Sequence, residues 1–201
     1  MNLSMRSIFR AVALVVTLLA SGLGAVTRPD LNTSNPTRAT YSASSAAFAS
    51  ASSGTDIFTI YGSASKTITV RRIVVTGTQT TAGTINVFLV KRSTANTGGT
   101  SASVTAVPQD SVNPAATATI LSYTANPTGL GTAVGNVRAS KMFVPAPATA
   151  TNQSPLISWD FGLEESQGLI LRGASQGLCV NLSGVTVTGN SWIIWVVWME
   201  E

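Results

Sequence analysis

Residues Asp56 to Arg92 read DIFTIYGSASKTITVRRIVVTGTQTTAGTINVFLVKR. Three β-branched runs lie within this stretch: DIFTIY (Asp56–Tyr61), KTITVRRIVVT (Lys66–Thr76) and TINVFLVKR (Thr84–Arg92). Gly62-Ser63 and Thr81-Ala82-Gly83 separate them, and runs of this length bounded by such residues predict strands joined by turns. In the second run Ile68 and Val70 share one face, but the next apolar pair, Ile73 and Val75, falls on the other. One extra residue restores the inward face, so the slip predicts a β-bulge or bend at Arg71-Arg72. The two arginines themselves read as solvated charges at that bend. The nearest other basic residue, Lys66, lies at the far end of the strand, which is too sparse for a phosphate site.

The same grammar continues outward. Further strands are predicted near Ser103–Val107, Thr117–Tyr123, Ala133–Val144, Leu156–Phe161, Gly168–Arg172, Gly177–Leu182 and Ser191–Met199. Turn residues divide them at Asn96 to Gly99, Asn113-Pro114, Asn126-Pro127, Gly173 and Gly189-Asn190. About ten short strands with regular turn signals imply an all-β chain, an antiparallel β-sandwich or barrel over 56–201. No strand is followed by a clear helical pattern, which argues against a parallel α/β sheet.

The last strand is apolar on both faces. Trp192, Ile194, Val196 and Trp198 share one, and Ile193, Trp195, Val197 and Met199 share the other. A sheet with one wet face needs only one apolar set. The even-numbered face, with two tryptophans, is assigned to the core. The odd-numbered set, Ile193, Trp195, Val197 and Met199, is then the candidate oligomer interface, unless a second layer of the same chain covers it. Charge spacing points the same way. Gly173–Met199 contains no charged residue and Ser93–Val137 only Asp110, a pattern that favours burial between subunits over an ordinary monomer surface.

Before the sandwich the chain changes character twice. Residues 1–25 carry Arg6 and Arg10, then an apolar centre (AVALVVTLLA), then small residues; Ala11–Thr27 holds 17 consecutive uncharged residues. Basic start, short apolar centre and small-residue exit describe a secretory signal. As a helix the segment reaches only about 26 Å, marginal for a hydrocarbon core of roughly 30 Å. A membrane contact through residues 8–27, or a helix buried against partner subunits, is the alternative. Residues 26–55 contain twelve Ser or Thr and six Ala. So little apolar area predicts an extended arm or linker that orders only against a partner.

Composition excludes much chemistry. Among 201 residues there is no histidine, one cysteine, and a formal charge of +4 from twelve basic and eight acidic side chains. Without histidine the commonest general base and metal ligand are missing. One cysteine makes no disulfide framework or thiolate metal site. The basic residues are scattered along the sequence, without the clustered footprint of a nucleic-acid binder. Cys179 lies inside a predicted strand and reads as an inert buried thiol. Ser63-Ala64-Ser65-Lys66 matches S-x-x-K, but its companion motifs are missing and it reads as a hairpin loop. Asp160, Glu164 and Glu165 form the one acidic cluster; lacking an Asp/Asn-rich loop, they read as a solvated turn. Asn32, Asn152 and Asn181 match N-x-[ST], a pattern too short to carry weight by itself. No catalytic, cofactor-binding or metal-ligating residue is expected.

The wording and order of DIFTIYGSASKTITVRRIVVTGT, NVFLVKRSTANTGGTSASVTAVPQDSVNPAATATILSYTANPT, SWDFG and GLILRGASQGLCVNLSG resemble small virion-associated structural proteins of tailed bacteriophages. The resemblance covers Asp56 to the C-terminus. It implies a jelly-roll-like sandwich without enzymatic activity, serving as capsid decoration, fibre or tail-attachment module. Its partners would be further copies of itself and other virion proteins, with no nucleic acid and no cofactor, and its location the virion. The apolar N-terminus departs from that pattern and points to the alternative, a secreted or surface-anchored bacterial binding or matrix protein on the same sandwich.

Overall fold

The computed structural model describes residues 38–147, 155–162 and 168–201. The apolar segment 1–25, and the predicted arm as far as residue 37, lie outside them. The described residues form twelve strands and no helix. They are β1 (Ala39–Ser44), β2 (Asp56–Tyr61), β3 (Ile68–Thr78), β4 (Gly83–Arg92), β5 (Thr100–Ser103), β6 (Ala106–Pro108), β7 (Thr119–Ala125), β8 (Ala133–Val144), β9 (Leu156–Asp160), β10 (Leu169–Leu171), β11 (Gly177–Asn181) and β12 (Ser191–Glu200).

All pairings are antiparallel and build two sheets. The front sheet has the order β10-β3-β12-β1-β6, with β9 also pairing β3; the back sheet runs β5-β7-β2-β11-β4-β8. The chain crosses between sheets at most of its turns, and the inward faces meet in one core. Tyr41, Ile73, Val75, Trp192, Ile194, Val196 and Trp198 from the front sheet, and Phe58, Ile60, Val87, Leu89, Leu178 and Val180 from the back, are all fully buried. The molecule is the predicted all-β sandwich.

The bulge in β3 falls where the alternation slips. Val197 of β12 faces Arg72 while the next residue, Trp198, faces Val70, so Arg71 is the extra residue. Ile68 and Val70 before it and Ile73 and Val75 after it therefore all point into the core. Farther along, Gly77 lies opposite Trp192. A Cβ there would collide with the indole ring, so only glycine lets the tryptophan lie flat across the strand.

Two expectations are corrected. Residues 39–55 are not a free arm. β1 inserts beside β12, pairing Tyr41 with Trp198 and Ala43 with Val196, and carries β6 on its other side. Beyond it, the Ser45 N–H donates to the Ile194 carbonyl while the Ser45 hydroxyl accepts the Ile194 N–H, and Phe48 exchanges backbone hydrogen bonds with Trp192. The Trp192 indole N–H donates to the Ser50 hydroxyl at 3.2 Å, and Asn190 Oδ1 accepts the Ser50 N–H at 2.8 Å. Counting apolar area missed that strand pairing and serine hydroxyls anchor this segment. The predicted strand Ser103–Val107 is instead a crossover: β5 ends at Ser103 in the back sheet and β6 begins at Ala106 in the front sheet.

Candidate interaction surface

β12 occupies the centre of the front sheet, between β3 and β1, so its alternation sorts its side chains between core and outer surface. Trp192, Ile194, Val196 and Trp198 are fully buried, as the two-tryptophan face was expected to be. Trp198 stacks on Tyr41 with ring centroids 5.7 Å apart. Ile193, Trp195, Val197 and Met199 take the outer face, where Ile193 is 47% exposed and the other three are half-buried.

Register places the neighbours of this row. Across β3, Ile193 faces Thr76, Trp195 faces Val74 and Val197 faces Arg72; across β1, Trp195 faces Ser44 and Val197 faces Ser42. Leu156 of β9, 62% exposed, follows Thr76, and Val107 of β6, 56% exposed, follows Ser42. Charge enters this band as the Arg72–Asp160 ion pair, and the Arg72 guanidinium lies 5.9 Å from the Trp195 ring centre. The face is apolar along its centre, hydroxyl-bearing at its flanks, and poor in charge. Among the described residues no second layer covers it.

The remaining sequence candidates fall elsewhere. Cys179 is buried, and burial together with the nearby Asp56 carboxylate pushes its thiol well above the ordinary range. A thiol held protonated is a poor nucleophile. The Ser63 hydroxyl accepts the backbone N–H groups of Ser65 and Lys66 at 3.1 and 3.3 Å, which makes it a turn-former. Asp160 is paired with Arg72, while Glu164 and Glu165 lie outside the described residues. Asn181 donates its amide to Asp56 and is buried, leaving no accessible nitrogen for modification; Asn32 and Asn152 lie outside the described residues.

Two buried carboxylates escaped the sequence reading. On the outer side of the back sheet, Asp56 accepts two hydrogen bonds from Arg92, at 2.6 and 2.9 Å, and one each from Asn96 and Asn181. Arg92 also donates to the Gly131 carbonyl, and Asn96 Oδ1 accepts the Gly131 N–H, so the network fastens the loops 93–99 and 126–132 to the sheet. Burial alone would raise the Asp56 pKa, but the bonds from Arg92, Asn181 and Asn96 outweigh it and hold the carboxyl below its usual range. Glu200, also buried, has no cationic partner among the described residues. Its carboxylate accepts from the Thr117 N–H and hydroxyl, the Ala118 N–H and the Trp198 indole. Burial raises its pKa, and these donors more than reverse that. Both groups are fully paired and closed to solvent, which suits support and not turnover. Perturbed titration here marks structure.

Comparison of the chain with protein-family models, with curated proteins and with solved structures gives no match.

Proposed function

We propose that the chain is a non-enzymatic structural protein of a bacteriophage virion, a jelly-roll-like capsid decoration, fibre or tail-attachment module. It assembles with further copies of itself, and then with other virion proteins, through the outer face of the front sheet. The observation that carries the assembly is the row Ile193, Trp195, Val197 and Met199, extended by Leu156 and Val107. Five strands spaced about 4.8 Å apart, with β12 rising about 3.4 Å per residue, give a face on the order of 700 Å². That is close to the roughly 800 Å² per partner of a stable interface. Apolar centre, polar rim and depleted charge are also the anatomy of such interfaces. The virion location rests on the likeness of wording in the sequence.

A matched pair of variants tests the assembly. Wild-type protein is expected to scatter light as an oligomer at micromolar concentration. Trp195→Glu should give monomers that keep the wild-type far-UV spectrum. Trp198→Glu, in the core, should unfold or aggregate, since losing a buried aromatic costs about 3–5 kcal/mol. A monomeric wild type sinks the assembly reading. Finding the protein in purified particles tests the location.

The N-terminal segment favours a second reading, a secreted or surface-anchored bacterial binding protein. Its signature is a chain processed after the apolar segment and recovered from the periplasm or medium.

A further inference from the structure

The inward row of β12 ends in a charge. Trp192, Ile194, Val196 and Trp198 point into the core, and Glu200, next in the same phase, is 1% exposed at the end of the sandwich. Residues 109–118 cross that end, from β6 in the front sheet to β7 in the back sheet. The crossing is mostly exposed, with Val112 at 84%, and only its last part packs inward, through Ala116 and Ala118. Its hold on the body is concentrated in one carboxylate. Glu200 accepts the Thr117 N–H at 2.9 Å, the Thr117 hydroxyl at 2.7 Å and the Ala118 N–H at 3.0 Å, and also the Trp198 indole N–H at 3.0 Å. Apart from these, two hydrogen bonds tie the crossing to the body among the described residues. The Gln109 N–H donates to the Thr40 carbonyl at 2.8 Å, and the Tyr41 hydroxyl donates to the Pro114 carbonyl at 2.9 Å.

Charge is what makes the Glu200 bonds strong, since a hydrogen bond to a carboxylate is worth roughly twice a neutral one. Protonation removes the charge and turns one oxygen into an O–H among N–H groups, which cannot accept it. The other titratable groups on the surrounding elements are engaged elsewhere. Tyr41 of β1 is the donor to Pro114, while Arg38 before β1 and Glu201 after β12 pair with each other at 2.9 Å. Asp110, in the crossing, accepts the Val112 N–H at 3.1 Å, and Lys66 lies one residue beyond Thr67, whose backbone pairs with Glu201. We propose that residues 109–118 are an acid-released plug: protonation of Glu200 lifts them from the end of the core while both sheets stay paired, uncovering Trp198 and Tyr41. Release stays local because a mostly exposed crossing opens at lower free energy than strands buried on both sides. Burial raises the Glu200 pKa and the donors more than reverse it, so the plug is seated above about pH 4 and lets go as pH falls through the lowered value. It sits at an end of the sandwich and does not depend on assembly through the outer face.

Hydrogen exchange on the full chain, read by mass spectrometry and corrected for the intrinsic pH dependence of exchange, tests the plug. Between about pH 6 and about pH 3, peptides spanning 109–118 should lose protection about 10-fold or more, while β2 and β11 keep theirs. Glu200→Gln should exchange fast in that segment already at about pH 6 and show no further change on acidification. Thr117→Val, at an exposed position, removes one donor and should move the release to higher pH with the fold retained. That variant carries the test if Glu200→Gln does not fold. Asp110→Asn, in the crossing itself, should leave the release where it is. Protection lost together in the segment and in β2 and β11 would overturn the proposal, as would protection kept throughout that range. A release that moves with Asp110→Asn, stays in place in Thr117→Val, or persists in Glu200→Gln overturns it equally.

Discussion

Asp56 and Arg92 show what one buried pair does in a protein with few charges. Asp56 is fully buried and Arg92 5% exposed, and each carries hydrogen bonds beyond their mutual pair. Removing one member leaves a buried, uncompensated charge, so Asp56→Ala should cost about 3–5 kcal/mol in a urea titration. The pair has a pH signature that Glu200 shares. Both carboxyls are held below their unfolded values of about 4, so each contributes its full stability above that pH. That contribution drains away as pH falls through the lower folded values. Melting temperature should therefore fall steeply below about pH 4, and Glu200→Gln should flatten part of that slope. None of this was legible in the sequence. Asp56 opens one strand and Arg92 closes another, 36 residues on, and only the fold brings them together. Glu200 was harder still, because its partners are mostly N–H groups, which every residue has.

At the scale of elements, legibility followed alternation. The bulge at Arg71 could be read because four β-branched residues keep strict phase on either side of it. Deleting Arg71 should throw Ile68 and Val70 out of register with Ile73 and Val75. Turning two buried side chains outward costs about 3–6 kcal/mol, readable as a lowered denaturation midpoint with the slope retained. β8 was placed at its observed bounds, Ala133–Val144, and β11, expected over Gly177–Leu182, ends one residue earlier at Asn181. The failures came where alternation is absent. Thr100 to Pro108 is mostly Ser, Ala, Thr and Val with no phase, and it conceals a change of sheet. β1 reads ATYSAS, whose single large side chain gives no pattern, yet Tyr41 stacks on Trp198 and donates to the Pro114 carbonyl at 2.9 Å. Gly77 offers a sharper test of packing. Gly77→Ala sets a methyl against the Trp192 ring, and overpacking of this kind costs about 1–3 kcal/mol.

For the whole molecule, the corrected arm gives a boundary experiment. A chain starting at Pro36 should keep the far-UV spectrum and the melting temperature of the full sandwich. One starting at Gly54 loses β1, uncovers Trp192 and Trp198, and should fail to fold cooperatively. The odd-numbered face of β12 was legible as apolar because its alternation is strict. One further feature bears on how copies meet. Among the described residues β8 closes the back sheet, and no strand pairs with its outer side along its twelve residues. That edge is interrupted by register shifts opposite Leu89/Val90 and Lys91/Arg92, and it carries Lys141. A straight, neutral edge would recruit a neighbour's strand and then offer another, adding copies without end. A kinked one that carries Lys141 resists that growth. Under the proposed assembly, association is thereby directed from ribbons toward face-to-face contacts, which can close on themselves and stop at a fixed number. Concentrated wild-type solutions should stay free of thioflavin-positive fibrils, whereas Lys141→Val should form them.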